Sequence, residues 1–165
     1  MNVLFHIATG VAIIAIHSRV KQPNKPLYYI SGFVLGVISH GILDYTPHCY
    51  PIHSKVDVIL GLIAIIFLLI TIRKEFKILS GFILLGSIFP DLLDLSPGII
   101  NNLFQLNLPT FNPIFPWHFH HYSGSIYSNN CSVSTLNHFL VLLFCGILVF
   151  LNFSGVKRLF YSKNT

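Results

Sequence analysis

Five apolar runs dominate this chain, residues 2–16, 27–43, 56–72, 78–95 and 136–153, and none of them contains a Lys or an Arg. Runs of this length and purity leave few options. In hydrocarbon every backbone N–H and C=O must be satisfied within the segment, which favours helices, and a helix needs about 20 residues (roughly 17 to 25) to cross. The last four runs meet that length and the first is short. Charged residues make up only 9% of the chain, against roughly 25% for an ordinary soluble domain, and the mean hydropathy is +0.72. The expectation is an all-α fold: a polytopic membrane helical bundle of about five transmembrane helices, one domain over residues 1–165, with a long outer loop at 96–135 that lies in the membrane interface.

The connections between the runs set the orientation. Arg19, Lys21 and Lys25 follow the first run, Arg73, Lys74 and Lys77 follow the third, and Lys157, Arg158 and Lys163 follow the fifth, so nine of the ten Lys and Arg fall on one side. The positive-inside rule makes that side cytoplasmic. It also accounts for the net charge of +5 without nucleic acid as a partner. No basic residue precedes the first run, so it reads as a retained helix with its N-terminus outside and not as a signal peptide.

The opposite side carries only Lys55 among the basic residues. It gathers Asp44, Asp57, Asp91 and Asp94 together with His6, His40, His48, His53, His118, His120, His121 and His138. Carboxylates at the edge of hydrocarbon cost several kcal/mol unless they are paired, and the side chains that would pair them are nearly absent. A bound divalent cation supplies the missing charge. Imidazole and carboxylate together suit zinc, manganese or iron better than magnesium or calcium.

Two stretches place the ligands. In "SHGILDYTPH", residues 39–48, His40 and Asp44 are four apart and share a helical face, and Pro47 ends the helix. "GVISHGILDYTP" at 36–47 and "GSIFPDLLDLSP" at 86–97 match at five of twelve positions with an offset of 50, which makes Asp44 and Asp94 equivalent. Within the second copy Asp91 and Asp94 are i and i+3 on one face, and Pro90 frees backbone groups nearby. Asp57 opens the third run, where a helix N-terminus favours an acid for ordinary reasons.

Between Ser96 and Thr135 there is no Lys, Arg, Asp or Glu. The first half mixes Phe, Leu, Pro and Trp117, a composition suited to the headgroup layer. It leads to "WHFHHYSGS", in which His118 and His121 share a face if the segment is helical, and His118 and His120 do if it is extended. Ser123 to Ser125 read as a turn able to touch a polar substrate. His6 lies at the outer end of the first run, level with the other candidates, whereas His17 falls on the cytoplasmic side. His48, His53 and His138 have no patterned partner and are candidates for the surroundings of the site. Cys49 and Cys131 both fall outside and are free to pair in an oxidising compartment. Cys145 lies inside the fifth run, and no C-x-x-C occurs to suggest a zinc-thiolate site.

"HIATG", "LGVISHGILDYTP" and "GSIFPDLLD" resemble the membrane-bound metal-dependent hydrolases of the YdjM-like family, bacterial inner-membrane proteins regarded as akin to zinc-dependent phospholipases C. That resemblance implies His6, His40, Asp44, Asp91 and Asp94 as metal ligands. It departs where the family has a His-Arg-Gly-x-x-His stretch, for which "HFHHYSGS" stands in without the arginine, and in the order of motifs.

The expected activity is hydrolysis of a phosphoester or lipid headgroup at the outer face. One or more zinc-like ions would be held by His6, His40, Asp44, Asp91, Asp94 and the 118–121 histidines (His118, His120, His121), with Asp91 or a histidine such as His121 as general base. The alternative is a non-enzymatic metal-binding, metal-transporting or scaffold protein. A conduit calls for ionisable groups at mid-membrane, and here they bunch at one end.

Overall fold

The computed structural model describes residues 1–20, 25–127 and 131–161; Lys21 and Lys163, both part of the charge sorting above, lie outside them. Among the described residues the regular secondary structure is all helix apart from one isolated bridge between His48 and Ser125. The helices are α1 (Val3–His17), α2 (Pro26–Tyr45), α3 (Ser54–Thr71), α4 (Lys74–Asp94), α5 (Ser96–Phe104), α6 (Ser132–Leu151) and α7 (Phe153–Phe160), with a single 3-10 turn at Pro116–His118.

Helices α2, α3, α4 and α6 are long and apolar enough to cross a membrane. Their outward faces are exposed Ile, Leu and Phe, among them Ile63, Phe67 and Ile70 of α3 and Phe139, Phe144 and Phe150 of α6. Apolar surface on that scale belongs against lipid. The chain is an integral membrane protein built as a helical bundle.

The short helix has a different position. With 15 residues α1 is about 22 Å long, less than the hydrocarbon thickness, yet it packs against α2, α3, α4, α6 and α7. Phe5, His6, Ile7, Gly10, Ala12, Ile14 and Ala15 are all buried on it. Because its neighbours supply the lipid-facing surface, it has no need of full spanning length. Its N-terminus is capped from another helix. Asp57 of α3 accepts the backbone N–H of Val3 at 2.6 Å and of Leu4 at 3.1 Å, which satisfies two of the groups a helix start leaves open. Asp57 therefore serves the start of α1 in addition to any effect on its own helix.

Helices α2 and α4 run parallel and cross closely. A Cβ on Gly36 would lie 2.7 Å from the Ile83 carbonyl oxygen, and one on Gly86 would strike the Phe33 carbonyl. These contacts are reciprocal under the 50-residue offset, since Gly36 and Gly86 are equivalent and so are Phe33 and Ile83. Lipid tails are as apolar as leucine, so helices in a membrane associate through close packing of this kind, which small residues permit. The crossing brings the C-terminal ends of α2 and α4 to the end of the bundle where α1, α3 and α6 begin.

The described basic residues other than Lys55 occupy the opposite end. There Arg73 donates to the Arg158 and Tyr161 carbonyls and pairs with Glu75 at 2.7 Å, and Arg19 donates to the Leu151 carbonyl. The helices extend past the apolar runs at several ends, α4 beginning at Lys74 and α6 at Ser132, because helical hydrogen bonding continues through polar flanks that hydropathy excludes. Helices α5 and α7 are additions that the apolar runs did not announce.

Candidate metal centre

His40 is fully buried near the end of α2, with Asp44 one turn further on and almost as deeply buried. Pro90 has no N–H to offer and its ring crowds the preceding turn of α4. Close to that irregularity, the Ser87 carbonyl accepts the Nδ1–H of His40 at 2.8 Å. A carbonyl can only accept, so Nδ1 carries the proton and, in the neutral ring, Nε2 carries the lone pair. That Nε2 lies 3.0 Å from Asp44 Oδ2 and 3.5 Å from Asp91 Oδ1, but makes no well-formed hydrogen bond although it is buried.

His118 repeats the arrangement from the loop. Its Nδ1 donates to Asp94 Oδ2 at 2.7 Å, and the same carboxylate accepts the backbone N–H groups of Ile114 at 2.9 Å and Phe115 at 3.0 Å. His118 Nε2 then faces Asp44 Oδ2 at 3.2 Å and Asp91 Oδ1 at 3.3 Å. Trp117 fixes the turn from the other side. Its ring lies over Gly41, where a Cβ would come within 2.7 Å of the indole.

His40, Asp44, Asp91 and His118 each turn a ligand atom to a common point, all within 4.8 Å of one another. This His/Asp cluster can hold a metal ion. Two imidazole nitrogens whose far sides are held by a carbonyl and a carboxylate are presented as metal-binding histidines are. Burial alone lowers the pKa of His118, but its hydrogen bonds to Asp44, Asp91 and Asp94 outweigh that and raise it to about 10. The pocket thus attracts positive charge whether a proton or a metal supplies it. Asp91 is the most open member of the group, its side chain 20% exposed against 7% for Asp44 and 0% for His40, which marks the side from which water reaches it.

The remaining sequence candidates fall around this group. Asp94 stands behind His118, its carboxylate on the imidazole's outer nitrogen. His6 is fully buried, stacks on His40 with ring centroids 3.9 Å apart, and places Nε2 3.3 Å from Asp44 Oδ1, the oxygen facing away from His118. The Met1 amine contacts that same oxygen. His120 and His121 are exposed on the turn after His118 and contact each other edge-on. The loop is neither helical nor extended here, so of the three histidines only His118 enters the group. His48 and His138 are buried nearby, His138 stacked on Phe5, and His53 is exposed. The Ser87 carbonyl and the packing of Trp117 on Gly41 are not evident from the sequence. Pro90, one turn beyond Ser87, is the one local signal for the former.

Cys49 and Cys131 form a disulfide with Cα atoms 6.0 Å apart, joining the α2–α3 connection to the start of α6. Cys145 is free and buried.

Fold and cluster together define an integral membrane protein with a histidine–aspartate group able to bind a cation at one end of its bundle. No family model, curated protein or solved structure matches the chain.

Proposed function

We propose that the chain is a membrane-embedded metal-dependent hydrolase that cleaves a phosphoester bond in a lipid or lipid-linked substrate. The resemblance to the YdjM-like hydrolases belongs to the same proposal. One observation carries it: two histidines with their Nδ1 protons committed elsewhere aim Nε2 at two carboxylates, and the described residues place no Lys or Arg among them, the Met1 amine pairing with the far oxygen of Asp44. Zinc suits this nitrogen and oxygen set, with manganese and iron next. A divalent ion bound here would lower the pKa of a water molecule and polarise a phosphoryl oxygen.

The chain's own groups would do the rest. His40 and Asp44, both buried, would hold the fixed side of the site. Asp91, at the open edge, is suited to accept a proton from the attacking water, and His121, exposed just beyond the turn, is the other candidate base. Charge sorting favours the non-cytoplasmic face for the cluster, with the N-terminus outside and the C-terminus cytoplasmic, and the resemblance implies a bacterial inner membrane. A lipid substrate is favoured by position, because α5 and the loop after it expose Phe104, Phe111 and Ile114, and that loop reaches Asp94 through the Ile114 and Phe115 N–H groups. A transport role would place ionisable groups along the mid-membrane path, and the candidates lie together at one end.

The test is to purify the protein in detergent, measure bound metal, and assay phosphodiester and phospholipid hydrolysis with and without chelator. Chelator-sensitive turnover is expected. Stoichiometric metal without turnover favours a non-enzymatic metal-binding role, and absence of metal removes both readings.

A further inference from the structure

A second polar cluster sits beside the metal group and takes no part in it. His48 is fully buried, and its Nδ1 donates to the Thr46 carbonyl at 2.7 Å. Its Nε2 lies 3.2 Å from the Tyr50 hydroxyl and 3.3 Å from Ser125 Oγ, and those two oxygens are 2.6 Å apart. Ser123 Oγ donates to Ser125 Oγ at 2.8 Å. The segment is bonded to the end of α2: Gly124 N donates to the Asp44 carbonyl at 2.7 Å, His48 N to the Gly124 carbonyl at 2.8 Å and Ile126 N to the His48 carbonyl at 2.7 Å. A side chain at Gly124 would collide with the Thr46 carbonyl, so this approach requires glycine. The cluster is thereby tied to the backbone of a metal-group residue.

Hydrogen-bond accounting says what the cluster offers. Burial lowers the pKa of His48 to about 4, so the ring is neutral at pH 7 and Nε2 accepts. Each hydroxyl has one hydrogen and two lone pairs. The hydrogen of Ser123 goes to Ser125. Those of Ser125 and Tyr50 close the bonds with each other and with His48 Nε2, in either order. Among the described bonds the hydrogens of Ser123, Ser125 and Tyr50 are engaged internally while oxygen lone pairs remain over, so a group that approaches these three oxygens must donate. Beside these oxygens Tyr50 and Tyr127 stack at 5.6 Å and 22°, 41% and 86% exposed. An exposed aromatic face next to hydrogen-bond acceptors suits an amphipathic ligand with C–H faces and O–H groups.

Charge narrows the ligand. Residues 96–135 contain no Asp, Glu, Lys or Arg, and Asp44, whose charge reaches His48 and Tyr50, is already engaged by the Met1 amine, His6, His40 and His118, so no charge is dedicated to this cluster. The arrangement does not read as a nucleophilic serine. The backbone N–H groups of Gly124, Ser125 and Ile126 all have partners within the protein, leaving none of the three to steady an oxyanion.

We propose that Tyr50, Ser123, Ser125 and Tyr127 form a subsite for an uncharged, hydroxyl-bearing group, such as the glycerol or sugar end of a phosphodiester whose phosphate meets the metal group. The substrate class this adds rests on the hydrolase reading, while the binding preference can be measured without turnover. The test uses the purified full chain, metal-loaded and with chelator, titrated calorimetrically with glycerophosphoglycerol and with glycerophosphocholine. Glycerophosphoglycerol should bind about tenfold more tightly, the worth of one or two hydrogen bonds. Tyr50→Phe and Ser125→Ala should each remove most of that preference while leaving metal content unchanged. Chelator should weaken both probes together and preserve their order. Equal affinity, no binding of either probe, or a preference that survives when both substitutions are combined would overturn the subsite. Failure to bind metal, with the preference intact, would instead overturn the hydrolase reading.

Discussion

Helices α2 and α4 end in equivalent sequences and put them to different uses. Asp44 and Asp94 are the same position in the two copies, yet Asp44 faces both imidazoles through one oxygen, whereas Asp94 turns outward to hold the far nitrogen of His118 and two backbone N–H groups. The ligand carboxylate from α4 comes one turn earlier, from Asp91, and the α2 residue at that position is Gly41, on which Trp117 packs. The difference arises from the course of the chain beyond each helix. Behind α4 the chain returns as a loop that delivers a histidine between the two helix ends, and the last aspartate is needed to orient it. Equivalent positions on parallel helices therefore divide into a carboxylate that faces the candidate cation site and a supporting one.

The division makes unequal substitutions of a matched pair. Asp44→Asn should abolish metal binding, because it removes the carboxylate shared by His40 and His118; metal content of the purified variant, with helicity checked by circular dichroism, reads this directly. Asp94→Asn should keep the ion and weaken it by roughly 10- to 100-fold, the usual cost of losing a supporting partner, as a chelator competition would measure. If the two variants behaved alike, the distinction between them would be gone.

Acidity should move the supporting side in a defined direction. With no metal, His118 titrates near about 10 against about 6.5 unfolded, so its protonated form stabilises the fold. That contribution is complete below about pH 6.5 and is lost as pH rises through about 10. The metal must displace the same proton, so apparent affinity should strengthen by up to about tenfold per pH unit between roughly 7 and 9. Thermal melts across this range should show the metal-free protein weakening and the metal-loaded protein holding.

The smallest effect is expected at the exposed pair. His120→Ala and His121→Ala should leave metal content within about twofold, since neither ring joins the group; a severe loss from either would mean that the loop closes further than the structure shows.

Much of this was legible in the sequence, and the remainder has identifiable causes. Membrane helices were readable because hydropathy reports directly on what a lipid-facing surface needs. His40 with Asp44 was readable because helical spacing alone puts them together, and Asp91 followed from its place in the same turns. The choice among His118, His120 and His121 was not, because it depends on a turn after Pro116 and on an acceptor 24 residues away. The position of α1 was equally hidden. A run too short to span reads as a weak helix until its neighbours surround it and Asp57 caps its start. Helix α7 escaped because its apolar residues share the segment with Lys157 and Arg158, which average hydropathy cancels.

The claim on which the account turns is that two imidazoles and two carboxylates meet at one ion. X-ray absorption on the zinc-loaded protein measures this most directly. The account predicts a shell of nitrogen and oxygen near about 2.0–2.2 Å, containing the scattering of two imidazole rings and no sulfur, and one ring fewer after His118→Ala. A protein that takes up no zinc, or a shell with sulfur or without imidazole, would contradict it.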